Sequence, residues 1–369
     1  MRRLLVTALL LALPAAADLP VEGGYIEVLL TKPASDLTDQ IHKVDLSAAD
    51  IPAGFWPPID TSDGEKLRVA NGSGTELARD VISFDDTAET GEVNVLYAGT
   101  TSSTVDQYIR VYWPRSTMSS YIATSTYGQE ATYPASIEGY WPLDDLSDRT
   151  SNGNDLTANN TPTSGETGIA GDAYLFDDAS TEYLSLASSP ISAFPVSMVA
   201  WIKPDAEITS YVVSLGNSGT ITPFVGISPR FDTRVLGNIR DDGFTQTTPS
   251  APGNYSTGSW VQVGGTFSSG SSIAYTNGTG GTATTDTLGA ITLNQFAVGA
   301  FFRTSATSPF SGLIDEVWLI SAVVPGDSVA YMANNVEDPA THYGTWTLSP
   351  ATGGHIFIPN AVRIGHADL

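Results

Sequence analysis

Few residues in this sequence are placed to do covalent chemistry. There is no cysteine, which removes thiol nucleophiles, thiolate zinc sites and disulfide scaffolds together. The histidines, His42, His342, His355 and His366, show none of the short spacings by which imidazoles share a metal. Gly216-Asn217-Ser218-Gly219 is one residue out of the Gly-x-Ser-x-Gly pattern that presents a nucleophilic serine on a strand-to-helix turn. Hydrolysis of a glycosidic bond needs two carboxylates at a set separation, and the Glu-x-Asp-x-Glu alternation that would put acids along one strand face is missing. Asp315 and Glu316 are adjacent, so an ideal strand sends them to opposite faces.

Forty Asp and Glu against sixteen Lys and Arg give a net charge of −24. A basic surface tracking a phosphate backbone is incompatible with that balance, so no nucleic-acid partner is expected. Charged residues make up 15% and hydrophobic residues 41% of the chain, leaving a remainder rich in Ser, Thr, Asn and Gly. That composition suits a folded, β-rich protein. At 369 residues the chain is long enough for two or three domains.

The elements that would position any site read as strands. From Tyr25 onward short apolar alternations are separated by Gly, Pro, Asn, Asp and Ser clusters, with no sustained helical period. Expected strands include Tyr25 to Thr31, Lys66 to Asn71, Val93 to Ala98, Tyr108 to Trp113, Val196 to Ile202, Trp260 to Phe267 and Ile314 to Ile320. One helical segment is expected over Gly326 to Asn334, behind Pro325. Alternation lapses between Arg115 and Pro134, which divides an N-terminal β-sandwich (18–134) from a second domain (135–336). A tail (337–369) carries strand-like Thr345 to Leu348 and His355 to Ile358.

Residues 1–17 have a basic start at Arg2 and Arg3, an apolar run from Leu4 to Leu13 and a small-residue end at Ala15 to Ala17. This is the pattern of a secretory signal with cleavage after Ala17; a retained N-terminal arm is the alternative. The apolar run is too short to span a bilayer, which takes about 20 residues, so no transmembrane anchor is expected.

Between Ile137 and Asn335 several stretches, in order, resemble the laminin-G-like or pentraxin-like branch of the concanavalin A-like lectin and glucanase fold. They are Tyr140-Trp141-Pro142-Leu143-Asp144-Asp145 with Ser151-Asn152-Gly153-Asn154, Ala173-Tyr174-Leu175-Phe176-Asp177, Val196 to Pro204, Ser259-Trp260-Val261-Gln262-Val263 with Tyr275-Thr276-Asn277-Gly278, and Phe310 to Ile320. Residues 20–130 resemble, less specifically, an uncharacterised β-sandwich domain found before such jelly rolls in exported and phage proteins. The fold class implied is all-β, two β-sandwich domains, the second a concanavalin A-like jelly roll. Trp201, Trp260 and Trp318 are expected to fill its core, with ligand stacking as the alternative.

The resemblance implies a structural Ca2+ with Asp148 and Asp315 as ligands, since calcium takes six to eight oxygens; local turn capping and pairing is the other reading of both. It also implies glycan binding, with Asp241, Asp242, Phe244, Tyr255 and Arg303 as candidates on loops around Arg240 to Phe244, Asn254-Tyr255 and Phe301 to Arg303. The function expected is a non-catalytic, extracellular or cell-surface glycan-binding or adhesion protein, whose partner is a carbohydrate or cell-surface glycoconjugate. Two alternatives stand beside it. One is a structural virion spike or fibre with capsid or homo-oligomer contacts, and the other a glycosidase or polysaccharide lyase.

Overall fold

A computed structural model describes residues 24–47, 51–52, 54–285, 287–337 and 343–349. The proposed signal segment, His342, His355, His366 and the strand-like piece at 355–358 lie outside the described residues. The architecture is nearly all β, and its strands sort into two sandwiches.

The first sandwich packs a four-stranded sheet against a three-stranded one. The three-stranded sheet is antiparallel Leu37–Asp45, Thr90–Thr101 and Arg79–Asp85. Alternation dictates the packing: in Tyr25–Leu30 every second residue is buried, which points Ile26, Val28 and Leu30 inward. They meet Val44, Val93, Val95, Ile109, Val111 and Trp113 in one apolar core. Tyr343–Ser349, in the segment expected to form a separate tail, instead lies on the far side of Tyr25–Leu30 and completes the four-stranded sheet.

The second sandwich is a concanavalin A-like jelly roll of one eight-stranded and one seven-stranded antiparallel sheet. Val196–Pro204 lies between Val261–Phe267 and Gly312–Ile320 in the eight-stranded sheet. Phe224–Pro229 lies between Val213–Gly216 and Val235–Arg240 in the seven-stranded sheet. Side chains from both, among them Met198, Ile202, Val263, Phe267, Val225, Ile227 and Phe296, fill the space between. Asn277 and Gly278, both at positive φ (45° and 69°), turn Ser272–Thr276 back on itself as the Asn-Gly pair requires.

The tryptophans are distributed differently from expectation. Trp141 sits in the inter-sheet core. Trp201 and Trp318 are buried, but on the opposite face of the eight-stranded sheet, because Ala200 and Ile202 take the inward positions on either side of Trp201. Trp201 packs under Ala333 and Val336 of the helix Gly326–Glu337, with Trp260 partly buried beside it. Trp318 stacks on Tyr140 with ring centroids 3.8 Å apart.

That outer face is where the two sandwiches join. Arg149 of the jelly roll clasps Asp80 of the first sandwich, whose carboxylate also accepts a hydrogen bond from Tyr133 at 2.6 Å. Lys43 reaches across to Glu316 at 2.7 Å while also pairing with Glu92 of its own sandwich. Asn335 of the helix accepts the backbone N–H of Lys43 at 3.1 Å. The eight-stranded sheet is thereby covered on both faces, and the outer face of the seven-stranded sheet lies away from this junction, its central positions Ser214, Phe224, Ser228 and Asn238 buried under the jelly roll's own loops.

Candidate ligand-binding face

Strand alternation builds this face. Along Phe224–Pro229, Val225 and Ile227 point into the core, so Phe224, Gly226, Ser228 and, one step past the strand, Arg230 point out. Arg240 is the register partner of Phe224 and Asn238 that of Gly226, which places all four on one surface. On the neighbouring strand Ser214 donates to the carbonyl of Ala300 at 2.7 Å and accepts the N–H of Phe302 at 3.1 Å, pinning the hairpin of Phe301–Phe302 and Ala306–Thr307 over the sheet.

The pinned hairpin makes a layered stack. The Phe301 ring lies parallel to Tyr211 at 4.5 Å and edge-on to Phe224 at 4.9 Å, and the Arg303 guanidinium lies 4.3 Å from the centre of the Phe301 ring. Tyr211 can lie there because residue 226 is glycine: a Cβ at that position would come within 2.7 Å of the Tyr211 ring. Burial pushes the Tyr211 hydroxyl up to about 12, against the pull of the Arg303 and Arg230 charges. Desolvation holds Arg303 below the ordinary guanidinium value, and repulsion from Arg240 adds to it while Tyr211 opposes it. Arg240 in turn lies 4.9 Å from the ring centre of Phe244, an exposed aromatic held at φ 72°.

Of the five glycan candidates, this surface unites Phe244 and Arg303 and separates off the rest. Asp241 is buried and structural: its two oxygens accept the N–H groups of Thr245 and Gly289, each at 2.7 Å. Burial opposes its ionisation, but those amides outweigh it and hold the carboxyl below the usual range. Asp242 accepts from the Thr292 hydroxyl at 3.0 Å and so ties two loops together. Tyr255 belongs to the core, its hydroxyl donating to the Arg230 carbonyl at 2.7 Å, and burial raises its pKa to about 12. Tyr211, Phe224 and Arg230 were not singled out by sequence, since nothing in their local pattern marks them.

The two carboxylates of the expected calcium pair are both engaged by hydrogen bonds within the fold. Asp148 spends one oxygen on the N–H groups of Tyr140 and Thr150 and the other on the Asn154 N–H and the Thr150 hydroxyl. Asp315 accepts the amides of Ile169, Ala170 and Glu316. The two share no partner, and among the described residues no group of three or more metal-ligating side chains occurs.

Asp315 and Glu316 also depart from the alternation expected of neighbours. The register between their strand and Val196–Pro204 slips at this point and Glu316 sits at φ 53°, a bulge in which the extra residue breaks the in-out order. Asp315 is the register partner of Trp201 and its carboxylate meets the Ile169 and Ala170 amides, while Glu316 contacts Lys43 and Tyr140, so both carboxylates lie on the outer face of the sheet and Glu316 reaches the first sandwich. Burial, and then the neighbouring Glu316, raise the Asp315 carboxyl well above its ordinary value. A cavity of about 460 Å³ lies beside them between the domains, lined in part by Lys43, Gln262, Glu316, Trp201 and Trp318. Lys43 and Glu316 answer one another there, Glu316 accepting from both Lys43 and Tyr140.

Residues 178–330 match the family described as the concanavalin A-like lectin/glucanases superfamily. Among solved structures, the chain is similar to domain 4 of AbnA, an extracellular GH43 arabinanase from Geobacillus stearothermophilus solved with arabinotriose: 20% identity over 55% of this chain and 100% of that one, TM-score 0.46. It is similar to the heptameric SAP-like pentraxin of Limulus polyphemus at 14% identity, over 44% and 85% of the two chains, TM-score 0.35. The binding domain of Paraclostridial Mosquitocidal Protein 1 aligns at 12% identity over 54% of this chain and 52% of that one, TM-score 0.44. No curated protein sequence matches the chain. Among the described residues no helix is long and apolar enough to cross a membrane.

Proposed function

We propose that this is a non-catalytic carbohydrate-binding protein of the cell surface or extracellular space, and that its jelly roll takes a glycan on the outer side of the seven-stranded sheet, at the arginines and aromatics that rim it. The observation that carries the reading is the Tyr211–Phe301–Arg303 stack beside Asn238. A sugar presents apolar C–H patches and a rim of hydroxyls, so a receptor needs flat aromatic area next to amide or guanidinium donors. Both are here on one surface, although Phe301, Phe224 and Asn238 are themselves nearly covered and the exposed aromatic area beside them is that of Phe244. The superfamily match over residues 178–330 supports the same reading. The acid pair Asp315 and Glu316, 0% and 1% exposed beneath the first sandwich, is engaged with Lys43, Tyr140 and backbone amides, which supports binding without hydrolysis.

The test is binding of the full chain to an array of neutral and acidic glycans, repeated with Tyr211→Ala. A restricted glycan set, weakened about tenfold in the variant as loss of an aromatic platform predicts, supports the proposal. Folded protein that binds no glycan overturns it, and release of new reducing ends from a bound polysaccharide overturns its non-catalytic part.

A further inference from the structure

We infer that the glycan taken by this face is anionic, its carboxylate or sulfate groups received by Arg230, Arg240 and Arg303. The inference rests on the carbohydrate-binding reading of the same face.

The observation is a group of three arginines without an ion pair on one face of a protein of net charge −24. Elsewhere in the jelly roll, Arg149 is paired with Asp80 and Arg234 with Asp232, and Lys203, on the eight-stranded sheet, has no ion pair among the described residues. Among the described residues Arg230, Arg240 and Arg303 form no ion pair. Asp232, close enough to Arg230 to have its pKa lowered by that charge, is engaged by Arg234 through one oxygen, while its other oxygen is buried without a hydrogen-bond partner. Asp241, next to Arg240 in the chain, is spent on the Thr245 and Gly289 amides. The Nε atoms of Arg230 and Arg240 are buried with no hydrogen-bond partner. A buried donor left unmade is costly, more so on a charged group.

Arrangement adds to charge. Each guanidinium lies over an aromatic ring: Arg230 at 5.6 Å from Phe231, Arg240 at 4.9 Å from Phe244 and Arg303 at 4.3 Å from Phe301. Phe231 and Phe244 are 61% and 60% exposed, so two of these pairs present an apolar surface and a cation together. From Phe224, beside Arg240 and Arg303, to Arg230 is six residues of nearly extended chain, about 20 Å at the rise of a strand. An extended oligosaccharide can therefore meet cations at both ends of the face. Arginine suits the task because its planar fork binds a carboxylate or sulfate through two parallel hydrogen bonds. At long range the chain repels polyanions, which leaves recognition to this one local field.

The experiment measures affinity of the full chain for polygalacturonate, its methyl ester, dextran sulfate and dextran, with a single-stranded DNA of matched charge alongside. Expected is at least about tenfold tighter binding to polygalacturonate than to its ester, or to dextran sulfate than to dextran; whichever pair discriminates identifies carboxylate or sulfate. Arg240→Gln and Arg303→Gln should each remove about tenfold of that preference in protein that still melts cooperatively, Arg303→Gln at a lower temperature because it also gives up the hydrogen bond to the Ile221 carbonyl, while Arg115→Gln, in the first sandwich, removes none. Equal binding of the neutral and acidic members of both pairs overturns the inference and leaves the carbohydrate reading standing. Equal binding of the DNA overturns it too, by reducing the preference to charge alone. Absence of binding to all four polysaccharides and to the neutral glycans of the array overturns both.

Discussion

Lys43 of the first sandwich and Glu316 of the jelly roll meet at 2.7 Å, both almost wholly shielded from solvent. Around them stand Glu92, which also takes a hydrogen bond from Lys43, the Tyr140 hydroxyl, which donates to Glu316, and the adjacent Asp315. An ion pair withdrawn from water costs each partner several kcal/mol of hydration, so its net stabilisation is small although breaking one side is expensive. The pair is one point of contact between the two domains, and its titration is a direct probe of their junction.

Burial, joined by repulsion from Glu92, raises the Glu316 carboxyl to about 7 against the attraction of Lys43. A carboxyl with a higher pKa folded than unfolded holds more protons in the native state. The stability it contributes is therefore complete below the unfolded value of 4.5 and is lost as pH rises through about 7. Glu316→Gln cannot titrate, so denaturant unfolding of the two proteins between these limits should show the wild type losing ground to the variant as pH rises. A wild type that gains on the variant would mean that Lys43 outweighs burial and keeps the carboxylate ionised throughout.

Asp148 organises a turn. Its four accepted hydrogen bonds gather Tyr140, Thr150 and Asn154 at the start of the jelly roll. Asp148→Ala leaves those donors unanswered in a buried setting, at a cost of about 1–3 kcal/mol for each that water cannot reach. Thermal melting should show the loss, and its size should be the same in calcium and in chelator. A chelator-sensitive melting temperature that Asp148→Ala abolishes would restore the metal reading.

Gly226 is the position on which the aromatic stack depends. A methyl group there would intrude on the Tyr211 ring at 2.7 Å, so Gly226→Ala should displace Tyr211 from Phe301. Overpacking of this kind costs about 1–3 kcal/mol. The expected result is a modest drop in melting temperature with a glycan affinity reduced about tenfold, the loss expected of Tyr211→Ala. Affinity unchanged in a destabilised variant would remove Tyr211 from the binding surface.

How much of this was legible beforehand follows from which signals are local. The jelly roll was readable because each piece carries its own pattern: Val261 and Val263 alternate with Gln262, and Asn277-Gly278 announces its hairpin. Phe244 and Arg303 were readable as loop residues and do reach the candidate face. Tyr211 and Arg230 come to it from the start of one strand and the end of the next, and only the pairing of Val213–Gly216 with Phe224–Pro229 brings them near Arg303. Asp241 and Tyr255 have the chemistry of ligand-binding residues, but amides and a carbonyl inside the fold claim them first. The bulge at Glu316 was invisible because alternation assumes one residue for each partner. For the same reason the acid pair was assigned to two faces when it occupies one.

Tyr343–Ser349 supplies the last prediction. It pairs along most of Tyr25–Leu30, whose other edge is taken by Tyr108–Tyr112. Ending the chain after Glu337 would therefore turn Tyr25–Leu30 into an exposed edge, with a row of unpaired N–H and C=O groups open to another chain. The jelly roll loses no strand by this change, since all fifteen strands of its two sheets lie before residue 337. Amide exchange should speed up along Tyr25–Leu30 in the truncated protein while Val196–Pro204 stays protected. Glycan binding should be retained, and self-association should rise with concentration. If Val196–Pro204 exchanges as fast as Tyr25–Leu30, the two sandwiches unfold as one unit, and the contacts through Lys43, Glu316, Asp80 and Arg149 transmit the loss of an edge strand across the junction.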